Sequence, residues 1–125
     1  MMNSKIKEAW VNALRSGKYE QGSDRLRGVD GFCCLGVLCD IYAQEHNTEW
    51  EFRGNEETNL QPMDYWYYGG ESEFLPKSVM DWAELKINNP QLFVDDEEEE
   101  SFYVSHLNDN GYTFTTIADL IEAQL

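Results

Sequence analysis

From residue 87 to its end the chain has no lysine or arginine, and only nine of its 125 residues are basic, against 24 acids. Nucleic-acid binding depends on Lys and Arg neutralising phosphates, so so acidic a body is repelled from DNA and RNA, and from anionic membrane likewise. Apolar runs are short, and none approaches the ~20 residues of a membrane-spanning helix. Cysteine is scarce, with three in all, at 33, 34 and 39. An odd count with two thiols adjacent does not make a disulfide framework, and the CxxC spacing that converges two sulfurs on one zinc ion is missing. With no charged-then-apolar leader, reduced thiols in a cytosol are the expectation, with no metal and no cofactor.

What the chain does have is a core. Hydrophobic residues make up 42%, with seven Tyr, six Phe and four Trp, so the net charge of −15 sits on a folded body of one domain. The charge is divided unevenly. Residues 1–27 carry six basic side chains against three acids, and residues 28–125 carry three against 21, a net of −18. Such a surface attracts basic proteins.

Ile6, Ala9, Trp10, Ala13 and Leu14 recur at helical spacing, which predicts an amphipathic helix over residues 4–16 with Ser4 as N-cap and Gly17 beyond its end. Leu26, Val29 and Phe32, broken by Gly28 and Gly31, suit a small strand or hairpin. The stretch GFCCLGVLCD then opens a helix reaching Glu45, apolar on nearly every side of its first two turns and therefore central. Residues 47–75 read as strands or ordered loops, and Pro76 to Leu85 as a short helix with Val79, Trp82, Ala83 and Leu85 inward. Residues 101–109 and 113–124 read as an αα-hairpin, with Thr113 as N-cap and Phe114, Ile117, Ala118, Ile121 and Leu125 on one stripe. The expected fold is α+β: an N-terminal amphipathic helix, a buried central helix, a small antiparallel sheet and a C-terminal helical hairpin.

The cysteine segment looks most like chemistry. A thiolate at a helix start is stabilised by the helix dipole, and a hydrolase or transferase would use Cys33 or Cys34 as nucleophile. It also needs an imidazole against the sulfur. His46 lies 12 residues along the same helix from Cys34, or ~18 Å, which leaves His106. The competing reading makes the three thiols small core side chains. In the tail, a calcium loop with Gly111 in its glycine position has His106 and Ile117 where Asp and Glu are required, which rules out an EF-hand. The same tail resembles the first helix of a helix-turn-helix, but no recognition helix follows before Leu125 and nothing nearby is basic.

Two features suit a contact surface. Tyr65, Trp66, Tyr67 and Tyr68 would alternate on a strand, turning one pair to the core and the other to solvent or a partner. Asp95, Asp96, Glu97, Glu98, Glu99 and Glu100 form an acidic loop kept solvated by like-charge repulsion. A pocket for a small ligand is a third possibility. It would take a neutral or cationic molecule, since only Arg15, Lys18, Arg25 and Arg27 cluster enough to hold an anion.

The segments AWVNALRSGKYEQGSDRLR, GFCCLGVLCD, LPKSVMDWAEL and LNDNGYTFTTIADLIE, in that order, resemble a group of small uncharacterised proteins encoded by bacteriophages and prophages. The likeness covers roughly residues 8–42, 75–85 and 107–122. It implies expression in a bacterial cytosol and brings no site residue with it. Thr116 stands where a Glu would complete a capping box at the last helix. The function expected is that of a non-enzymatic phage-type accessory protein binding a basic host or defence protein, with oligomeric state open.

Overall fold

Asn3, rather than Ser4, starts the first helix. In the computed structural model, which describes residues 1–55, 57–94 and 100–125, the Asn3 side chain accepts hydrogen bonds from the backbone N–H groups of Lys5 and Ile6. Both residue types are good caps, and the carbonyl one position earlier reaches the orphan donors. Helix α1 spans Ser4–Arg15 and buries Trp10, Val11 and Leu14. Ala9 faces solvent and Val11 takes a core position, because α1 lies against two helices and its buried arc turns toward both.

Strands β1 (Arg27–Gly28) and β2 (Gly31–Phe32) make the expected hairpin, with Val29 left exposed at its turn. Helix α2 follows at Cys34–Glu45, and Cys34 through Cys39 are all buried. Gly36 is what lets the hairpin close on it: a Cβ there would overlap the Leu26 carbonyl oxygen. Strands β3 (Glu51–Arg53) and β4 (Tyr65–Tyr67) complete an antiparallel sheet ordered β2-β1-β4-β3. Helix α3 is Lys77–Ala83, with Val79 and Ala83 buried and Trp82 and Leu85 half-buried against the core.

The C-terminal hairpin is shorter than its pattern predicts. Ser101–Tyr103 is a strand, β6, paired antiparallel with β5 (Gln91–Phe93), and the helix α4 occupies only Val104–Asp109. Pairing Leu92 with Phe102 buries Leu92 completely, a gain that short-range helical periodicity does not register. Helix α5 spans Phe114–Gln124 with Thr113 capping it, and buries Phe114, Ile117, Ala118 and Ile121 along α1. Arg15 ties the two helices at the surface through Asp119 and Glu122. Among the described residues no helix is long and apolar enough to cross a membrane.

Candidate functional site

Trp10, Cys34 and Asn108, far apart in sequence, meet at the start of α2. The Trp10 indole donates to the Cys34 carbonyl at 2.9 Å. The buried Asn108 side chain accepts from the Cys34 N–H at 3.2 Å and from Gln21 Nε2 at 3.0 Å, and donates to the Gly22 carbonyl at 2.8 Å. Asn108 thus does for α2 what no side chain at the Cys33 cap position does. Asp40, at the other end of the cysteine segment, accepts from the Tyr19 hydroxyl at 2.6 Å, Gln44 at 2.8 Å and the Trp50 indole at 3.0 Å. Among the described residues no buried side-chain polar atom lacks a partner. The segment that looked like chemistry is the frame.

The thiols fit that role. Cys33 is 3% exposed, and Cys34 and Cys39 are fully covered. Burial pushes the Cys33 thiol up to about 12 and drives those of Cys34 and Cys39 upward as well, the reverse of nucleophile activation. Cys34 Sγ donates to the Val104 carbonyl at 3.6 Å. His106 is exposed, stacked on Phe102, with Asn110 against its Nδ1 at 3.3 Å, and His46 is bonded to the Tyr42 carbonyl. The described hydrogen bonds bring neither imidazole to a sulfur.

Strand β4 carries the aromatic run, and its register separates two sides. Trp66 stands opposite Arg27 and Phe52, Tyr65 opposite Gly28 and Arg53, and Tyr67 opposite Glu51. Tyr68 is buried, its hydroxyl bonded to Thr48 and its ring against Trp50 and Tyr42. Trp66 packs on Phe52 beneath the Arg27 guanidinium, 4.5 Å from its ring centre. Tyr65 and Tyr67 are half-buried on the other side, under Arg25 at 4.1 Å and Arg53 at 5.3 Å. The Glu51 carboxylate holds the Tyr67 phenol above its ordinary range. Three of the four rings are therefore partly capped by arginines. Of the acidic run, Glu100 is exposed, and Asp95, Asp96, Glu97, Glu98 and Glu99 lie outside the described residues.

Arg15, Lys18, Arg25 and Arg27 do not gather into an anion pocket. Arg15 pairs with α5, while Arg25 and Arg27 lie over Tyr65 and Trp66.

Tyr65 forms part of something the sequence does not advertise. Two adjoining clefts, of about 530 and 390 Å³, share Asp24 and Arg25 in their walls. Val29, Leu60, Met63 and Phe74 line them, and these are four of the large apolar side chains left exposed among the described residues. Asp24, Asp30, Asp64, Glu73 and Asp109 stand among them, with Arg25 the one cation in either wall among the described residues. Arg25 stacks on Tyr65 and faces Glu73 at 3.8 Å. Asp109 fixes the rim by accepting from the Asp24 N–H at 3.0 Å. The buried Cys33 is also among the residues lining the smaller cleft. No described group of three His, Cys, Asp or Glu side chains is arranged to hold a metal ion. What these walls offer is apolar contact and negative potential.

A family model, "Domain of unknown function (DUF8296)", matches residues 2–125. The chain belongs to this family. No curated protein and no solved structure matches it. The match spans the six strands and five helices found among the described residues, so the DUF8296 unit is the fold described above.

Proposed function

We propose that this DUF8296 protein is a non-enzymatic accessory protein that binds a basic protein through its acidic, aromatic surface. The resemblance of its segments to those of bacteriophage and prophage proteins supports a phage-type role in the bacterial cytosol, with a host or defence protein as partner. One observation carries the reading: the exposed apolar side chains Val29, Leu60, Met63 and Phe74 line two adjoining clefts whose described walls hold five carboxylates and one guanidinium. An apolar patch rimmed by charge is the anatomy of a protein-contact surface. The charge of −18 over residues 28–125 would steer a basic partner toward it.

The test is capture from bacterial lysate at low salt on immobilised protein. The expected outcome is one basic protein retained in stoichiometric amount and released by raising salt, with reconstitution from the purified pair. Retention of nothing, or of an acidic protein held independently of salt, overturns the reading.

A further inference from the structure

We infer that the paired cleft at Arg25 is a docking groove for an extended segment of a partner protein in which arginines or lysines alternate with apolar side chains. The inference rests on the proposed binding function and assigns it a place and a ligand chemistry. Residues 29, 60, 63 and 74 are scattered along the chain, so their meeting is a product of the fold. Met63 is 80% exposed and Leu60 57%, which leaves much apolar surface in water unless something covers it.

The cleft's charge selects the occupant. Asp24, Asp30, Asp64, Glu73 and Asp109 face a single cation, Arg25, which is already engaged by Tyr65 and Glu73. Anionic ligands are repelled. A second copy of the chain, itself at −15, is disfavoured on the same ground. A partner side chain that is both long and cationic can lay its methylenes on Met63 and Phe74 while its head reaches the carboxylates. Two hollows joined at Asp24 and Arg25 accept successive side chains of an extended segment.

The probe is a fluorescein-labelled octapeptide of alternating Leu and Arg, read by anisotropy and by amide chemical shifts of the full chain. A Leu→Ser analogue keeps the peptide's charge, and a Leu60→Lys/Met63→Lys variant is compared with Glu49→Lys. Each protein variant shifts the net charge by +2, but Glu49 is exposed and lines neither cleft. We expect shifts at Val29, Leu60, Met63 and Phe74, at least tenfold weaker binding of the Ser analogue and by the double variant, and less than threefold loss with Glu49→Lys. Equal loss in both variants, equal binding of the Ser analogue, or shifts centred elsewhere overturns the groove. So does sedimentation showing a dimer that the double variant dissolves. Lysate capture separates the two claims. A salt-labile basic partner retained equally by the double variant sinks the groove and leaves the binding function standing. Cleft-specific peptide binding with nothing captured does the opposite.

Discussion

The start of α2 and the cleft beside β4 treat polar groups in opposite ways. At the first, the side chains of Asn108, Gln21 and Trp10 bond to backbone, to one another and, through Asn108 Nδ2, to the Asp109 carboxylate. At the second, Asp24, Asp30 and Glu73 are exposed beside uncovered Leu60 and Met63, and Arg25 is held by the Tyr65 ring and, at 3.8 Å, by Glu73. The lesson is that unusual residues need not mark function. Three cysteines within seven positions are architecture, and the accessible surface is made of ordinary side chains brought together by loops.

The sharpest way to break the contrast is to cut the frame. Asn108→Ala strips the Cys34 N–H and the Gly22 carbonyl of their partner in a dry site, and unsatisfied buried groups cost about 1–3 kcal/mol each. We expect a loss of about 3 kcal/mol in urea unfolding. The matched change in the cleft, Leu60→Ser, should stay within about 0.5 kcal/mol, as exposed substitutions do. Equal losses would erase the distinction.

Alkaline pH tests the frame by another route. The folded Cys33 thiol is held near 12 by burial, above its ordinary value of 9.0, so the unfolded chain releases its proton first. The stabilisation is complete below about pH 9 and is lost as pH rises toward 12. Between pH 8 and 11 this amounts to about 3 kcal/mol, at about 1.4 kcal/mol per pH unit over nearly two units. Cys34, Cys39 and Tyr19, all shifted in the same direction by burial, steepen the fall. Unfolding free energies of Cys33→Ala should decline less over that interval, and an equally steep decline would remove Cys33 as a cause. Native thiols should accordingly resist iodoacetamide at pH 7.5 and alkylate only in urea.

Sequence alone made much of the frame legible and little of the surface. The stripes on α1, α2 and α5 repeat over three turns, long enough for periodicity to fix the element and its buried face. Gln91–Phe93 and Ser101–Tyr103 are three residues each, and their pairing depends on partners eight to twelve positions apart, so the second read as helix. Asn108 and Asp109 carry the composition of a loop, and only tertiary contact turns Asn108 into a buried clamp. Of the four aromatics that alternation puts on a strand, Tyr65, Trp66 and Tyr67 form β4 and Tyr68 lies just past its end, and the arginines that cover the first three come from β1, its approach and β3. No local pattern at residues 29, 60, 63 or 74 marks a common wall.

The finest test asks whether the cleft's own cation competes with a partner's. Removing the guanidinium in Arg25→Ala takes away a ring contact, a long hydrogen bond to Ser72 and a partly exposed ion pair at 3.8 Å, together worth about 1 kcal/mol of stability. The same change leaves five carboxylates unopposed and uncovers Tyr65 for an incoming arginine. At the high effective dielectric of a surface cleft, deleting one like charge several ångströms from the ligand is worth about 0.6 kcal/mol. The alternating Leu–Arg peptide should therefore bind Arg25→Ala about threefold more tightly, although the variant melts earlier. Opposite signs for stability and affinity distinguish competition from scaffolding, since a residue that merely props the cleft open would weaken both together.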